Sequence, residues 1–151
     1  MLTQEDNLII QTYCSVTLLA ELRNNDFINS EFFEGMDFSL VGIKEAIRQI
    51  GIDNQGSALM ALYAMLVLPR EILKNRYETE YSGIQDFLIK HCINTTTNYP
   101  KDSPEVDYLR HIRNSVAHAR AEFESNETVR FIDEDSRRGY SFATELSLQH
   151  F

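Results

Sequence analysis

At 151 residues the chain has the length of one ordinary domain, and its 43% hydrophobic and 25% charged residues exclude a disordered, collagenous or coiled-coil fibrous protein. Six glycines and three prolines are too few for a turn-rich all-β fold. Fourteen basic residues against 23 acidic ones give a net charge of −9, which excludes coating of nucleic acid by bulk electrostatics and leaves only a local patch for such contact.

The first residues, Met1-Leu2-Thr3-Gln4-Glu5-Asp6, lack the basic and apolar regions of a signal peptide, so the cytosol is the expected location. Thr3 with Asp6 is close to a capping signature. Leu8-Ile9-Ile10, Tyr13, Val16, Leu19 and Leu22 then recur at helical steps until Asn24-Asn25-Asp26. Phe27, Phe32, Phe33 and Phe38 mark an irregular connection anchored by aromatics. Ser39–Ile50 reads as a second helix ended by Gly51. The run Ala58–Leu68 is apolar on all sides, which predicts a buried central helix, and it is too short to span a bilayer. Pro69 must kink it or open a new first turn, with helix continuing to about Lys74. Tyr81–Ile93 is a further helix and residues 94–100 are a loop. Ser103-Pro104 predicts the start of a helix running to about Ala117.

After Ala117 the period changes. Ala121, Phe123, Val129, Phe131, Tyr140 and Phe142 alternate with polar residues, and Ser125-Asn126 and Asp135–Gly139 are turn material. Asp133-Glu134-Asp135, flanked by Arg137-Arg138, reads as a solvated turn. The expected architecture is one domain over 1–151. It is mainly α, with five or six helices over 3–118, and a strand-like tail over 119–151 forms a small C-terminal antiparallel hairpin or sheet. Cys14 and Cys92 each stand alone and read as buried free thiols. No metal and no cofactor is called for.

The segment from Asp107 to Arg120 carries the chemistry. It holds two of the four histidines and three of the ten arginines, in a chain that is otherwise acidic. On a wheel of about 100° per residue, Tyr108, Leu109, Ile112, Val116 and Ala119 form the core face. Asp107, His111, Asn114 and His118 form a polar stripe flanked by Arg110. Arg113 lies about 140° from His118 on that wheel. The two could therefore act on one phosphate only if the helix unwinds near Ala117 or a second copy supplies the missing half. A guanidinium grips a phosphodiester through paired hydrogen bonds, and an imidazole exchanges protons near neutral pH. Together they suit metal-independent RNA cleavage by attack of a 2′-hydroxyl on the adjacent phosphorus. Structural readings stand beside this one. Arg113 could snorkel and pair with a carboxylate, His118 could cap the helix end, and Arg110, His111 and Arg120 could be ordinary surface groups.

Arg113-Asn114-Ser115-Val116-Ala117-His118 resembles the R-x4-6-H motif of the HEPN superfamily, in which Asn often follows the Arg and the motif ends the last long helix. The strand-like tail is similar to that of a prokaryotic subfamily found with defence and plasmid-maintenance genes. The resemblance implies a helical bundle, homodimerisation and, in many members, ribonuclease activity as a toxin or phage-defence effector. On that basis Arg113, His118 and Asn114 are the candidate catalytic residues, and Arg110, His111 and Arg120 the candidate RNA contacts. The implied partners are RNA, a second copy and an antitoxin or other operon protein, with no membrane. The alternative is a non-catalytic HEPN-like module that binds nucleotide or protein.

Overall fold

The computed structural model describes residues 3–52, 54–73, 76–124 and 128–147. Lys74 and the Ser125-Asn126 turn lie outside them. The chain divides into two compact units, Met1–Met65 and Leu66–Phe151. Among the described residues no helix is long and apolar enough to cross a membrane.

The first unit is helical. Its long helix α1 (Gln4–Asn24) opens on a complete capping box. Asp6 N–H donates to Thr3 Oγ1 at 3.2 Å, and Thr3 N–H donates back to Asp6 Oδ2 at 3.0 Å. A 3-10 turn at Phe27–Asn29 and the short helix α2 (Glu31–Glu34) follow. Phe33 is the one buried side chain described in this unit. Phe27 meets it edge-on at 5.5 Å, and Lys44 and Arg48 lie over its ring. The aromatics thus anchor the connection as their spacing suggests. Helix α3 (Ile43–Ile50) is shorter than the expected Ser39–Ile50 and ends at Gly51, whose φ of 77° is the left-handed conformation that glycine supplies without strain.

The run Ala58–Leu68 is not the buried central helix expected of it. It is split among α4 (Gln55–Leu62), a π turn (Tyr63–Val67) and the start of α5 (Leu68–Leu73). Within it only Val67 is buried, and Met60 is 63% exposed. The π turn sits just before Pro69. Pro69 has no N–H to give the carbonyl of Met65, and a widened turn accommodates that missing bond.

The second unit overturns the expected fold class of a helical bundle closed by a small C-terminal hairpin. Helix α6 (Glu78–His91) ends earlier than the predicted Ile93, and strand β1 (Cys92–Thr97) follows at once. It joins β2 (Ala121–Phe123), β3 (Thr128–Asp135) and β4 (Tyr140–Ser147) in a four-stranded antiparallel sheet ordered β1-β4-β3-β2. One edge of that sheet therefore comes from inside the stretch read as helical. The cause is local. Thr95-Thr96-Thr97 look like polar loop, but β-branched threonines suit a half-exposed edge strand. Thr95 Oγ1 bonds Thr144 Oγ1 across the ladder at 2.7 Å. Asn94, at φ 52°, sits where the β1–β4 register shifts, a bulge position that asparagine tolerates.

Ser103-Pro104 does not open a helix either. That peptide is cis, and the motif helix α7 (Tyr108–Ala117) begins four residues beyond Pro104, capped by Asp107 accepting Arg110 N–H at 3.1 Å. Helix α7 packs against both α6 and β3. Ile112 and Val116 join Val129, Phe131, Phe142 and Leu146 in the core.

Candidate active site

On α7 the sequence puts Ile112 and Val116 inward, and the structure adds His111 and Ser115, both fully buried. The ring of His111 stacks on Phe142 of β4, with centroids 4.2 Å apart and planes 9° from parallel. Its Nδ1 lies 2.7 Å from Asp133 Oδ2 on β3, and its Nε2 lies 3.0 Å from Asp102 Oδ2. Arg110 Nη2 lies 2.8 Å from Asp102 Oδ1 and from His111 Nε2. Nε2 cannot donate to Asp102 and accept from Arg110 at once, so two proton arrangements each satisfy part of this set. A ring with both N–H groups donates to both carboxylates. A ring protonated at Nδ1 alone donates to Asp133 and accepts from Arg110. In either, Nδ1–H donates to Asp133.

Asp102 is itself buried. Burial pushes its carboxyl up, but the hydrogen bonds from Thr97 and His111, with the charges of His111 and Arg110, outweigh burial and hold it below the ordinary carboxylate range. Among the described residues no buried side-chain nitrogen or oxygen lacks a partner, so the network is closed.

Asp133 also reaches the motif. Its Oδ2 accepts Asn114 Nδ2–H at 3.1 Å, and Asn114 Oδ1 accepts from Arg113 Nη2 at 3.2 Å. A chain of hydrogen bonds thus runs from Asp102 through His111, Asp133 and Asn114 to the guanidinium of Arg113. His118 stands apart from it. It is the exposed C-terminal cap of α7, at φ −103° and ψ 12°, in the sparsely populated bridge region. Ala119 follows at φ 53°, its N–H donating to Val116 O and that of Arg120 to Ser115 O. These two bonds make a Schellman motif with alanine where glycine is usual, and they fix the point at which His118 leaves the helix.

The motif pair opens into two different cavities. Arg113 lines one of about 340 Å³ with Arg70, Tyr81, Gln85 and Arg110. Burial pushes the Tyr81 hydroxyl up, against the opposing charges of Arg70 and Arg113. His118 and Asn114 line a second cavity, of about 800 Å³, together with Tyr99, Lys101, Asp133, Arg137 and Tyr140. Arg110 borders both. The separation anticipated on the helical wheel is thus present in the folded chain.

The candidate RNA contacts fare differently. Arg110 is held by Asp102 and by Asp107 at 3.5 Å. Arg120, 40% exposed, faces Glu134 at 3.7 Å. His111 is enclosed between two carboxylates and a phenylalanine ring and presents no surface to a ligand, which corrects its place on the solvent stripe of the wheel. Asp102 and Tyr99 were not singled out in the sequence, and Asp133, read there as part of a solvated turn, is a buried residue of β3. It lies in phase with Val129 and Phe131, four and two residues earlier, and the burial of β3 keeps that phase. Cys14 is exposed rather than buried. Cys92 is half-buried, and burial pushes its thiol up to about 11, against a hydrogen bond with Thr144.

No match to a curated protein or to a solved structure reaches significance. A family model does match, over residues 1–151, and the chain belongs to the family it describes, HEPN pEK499 p136.

Proposed function

We propose that this HEPN protein is a cytoplasmic, metal-independent endoribonuclease of toxin or phage-defence type, acting as a homodimer. The observation that carries the reading is the hydrogen-bonded chain Asp133–Asn114–Arg113 beside an exposed His118. It pre-orients a guanidinium for a phosphate and leaves an imidazole free to exchange protons. The 2′-oxygen of the substrate attacks the adjacent phosphorus while its proton passes to the neutral imidazole of one His118. The P–O5′ bond breaks, and the departing oxygen takes that proton from the imidazolium so formed. The products are a 2′,3′-cyclic phosphate and a 5′-hydroxyl. Arg113 clamps the phosphate, and Asn114 holds Arg113.

Arg113 and His118 open into separate cavities, and this supports a second copy that brings one of each to a single phosphate. Leu8, Ile10, Tyr13 and Leu18 of α1 are all more than two-fifths exposed, which favours a further protein surface, a second copy or an antitoxin, over this helix. The test is incubation of total RNA with the full chain in EDTA, followed by end-group analysis. Expected are cyclic phosphate ends with wild type and intact RNA with Arg113→Ala and with His118→Ala. Intact RNA with folded wild type at micromolar concentration overturns the proposal.

A further inference from the structure

The cavity beside His118 has a floor and a rim that α7 does not supply. Tyr99 and Tyr140 stand 5.3 Å apart with planes tilted by 46°. Tyr99 is backed by Arg110 over its ring and by His111 at 4.7 Å. The rim is the β3–β4 turn, residues 136–139. Asp135 Oδ1 accepts the N–H groups of Arg137 at 3.1 Å and Arg138 at 3.3 Å, so this turn has a fixed shape. Asn98 pins it to the chain leaving β1. Its side chain donates to Gly139 O at 3.1 Å and accepts Ser141 N–H at 2.6 Å. That clamp brings Tyr99 and Lys101 opposite Arg137 and Arg138 around one concavity.

The charges in it are unequally committed. Asp133 is bonded to His111 and Asn114, Glu134 faces Arg120, and Asp135 holds the turn. Lys101 and Arg137 have no carboxylate partner among the described residues. An aromatic wall beneath two uncommitted cations, in a volume within the roughly 300–1,000 Å³ of ligand sites, suits one flat ring and its flanking phosphates. A base in a duplex keeps its faces sealed in the stack and cannot reach such a wall.

We infer that Tyr99, Tyr140, Lys101 and Arg137 form a subsite for an unpaired nucleotide next to His118, so that the protein selects single-stranded over double-stranded RNA. The inference rests on the ribonuclease reading for the identity of the ligand. Tyr140 stacks on the base, and Lys101 and Arg137 take the phosphates on either side of it.

The test uses the native full chain and a labelled 2′-O-methyl single strand, which lacks the attacking hydroxyl and stays intact. Binding is read by fluorescence anisotropy against the same strand annealed to its complement. The single strand should bind at least tenfold more tightly. Arg137→Glu, on an exposed turn, should weaken it about tenfold, and so should Tyr140→Ala, whereas Tyr140→Phe keeps the affinity. Lys101→Ala with Arg137→Ala should lower the salt slope by roughly 1.4, at about 0.7 per single-strand phosphate contact. Equal affinity for duplex and single strand overturns the inference, as does affinity indifferent to Arg137→Glu and Tyr140→Ala in chains with wild-type circular dichroism. Binding that follows these variants while unmodified RNA stays uncut refutes the ribonuclease reading and leaves the subsite standing. Cleavage with no effect of these variants on binding does the reverse.

Discussion

Replacing Asp133 with alanine removes the one acceptor that serves both His111 and Asn114. Asp133 is 5% exposed, and its Oδ2 takes bonds of 2.7 Å and 3.1 Å from them. His111 is fully buried, so its Nδ1–H cannot turn to water once the carboxylate is gone. Breaking a buried pair by removing one partner costs about 3–5 kcal/mol, because the remaining polar group stays desolvated. A protein of this size has a total stability of about 5–15 kcal/mol, so roughly a fifth or more of it is at stake. At roughly 2–4 °C per kcal/mol, Tm should fall by about 6–20 °C. Asp133→Asn keeps one acceptor and should lose about 1–3 kcal/mol. The neighbouring Glu134→Ala is the control. Its side chain is 53% exposed and 3.7 Å from Arg120, and such surface pairs contribute about 0–1 kcal/mol. Urea unfolding of the three variants, with m-values compared, separates these cases. Equal losses in Asp133→Ala and Glu134→Ala would refute the claim that the His111 network organises this part of the molecule.

Asp102 gives a pH-dependent counterpart. Its carboxyl is held low in the folded chain, so the stability it contributes is present above its unfolded pKa of about 3.9 and is lost as pH falls through the lowered folded value. The advantage of wild type over Asp102→Asn in urea should be constant from about pH 5 to 7 and shrink below about pH 4; an advantage unchanged at about pH 2 contradicts this. Thiol titration at pH 8 should find one fast cysteine, the exposed Cys14, and one slow. The Cys92 thiol, raised from 9.0 to about 11, holds roughly a hundredfold less thiolate than an unperturbed one. Ala119→Gly should raise stability by about 0.5–1 kcal/mol, because glycine occupies φ 53° without the strain alanine bears there. A loss of stability in that variant would mean that Ala119 is not held in the left-handed region.

Local signals in the sequence were readable where the physics is local. Thr3 and Asp6 close their capping box, Gly51 ends α3, and the motif helix stops at Ala117. The same wheel that set Arg113 and His118 apart agrees with their separate cavities. What failed depends on distant partners. His111 reads as a solvated helix residue because its carboxylates lie 22 and 9 positions away in the chain, and nothing near it announces them. Strand β1 is polar and pairs with β4, about fifty residues later, so periodicity alone could not recruit Cys92–Thr97 to a sheet. Asp133 was legible in principle. Its phase with Val129 and Phe131 points it inward, and reading it as part of an acidic turn let charge override period. Ser103-Pro104 carries a helix-start signature, yet the helix waits for Asp107, the next residue able to cap it.

The central claim is that one copy's Arg113 works with the other copy's His118. Its most direct measurement mixes two inactive chains, Arg113→Ala and His118→Ala, by co-refolding at equal concentration, and assays RNA cleavage in EDTA. A mixed dimer holds one site with both residues intact and one with neither. Half of the dimers are mixed and each keeps one of its two sites, so activity should return to about one quarter of wild type. Cleavage that stays at the level of the separate variants, with mixed dimers demonstrated by mass spectrometry, would contradict a site shared between copies.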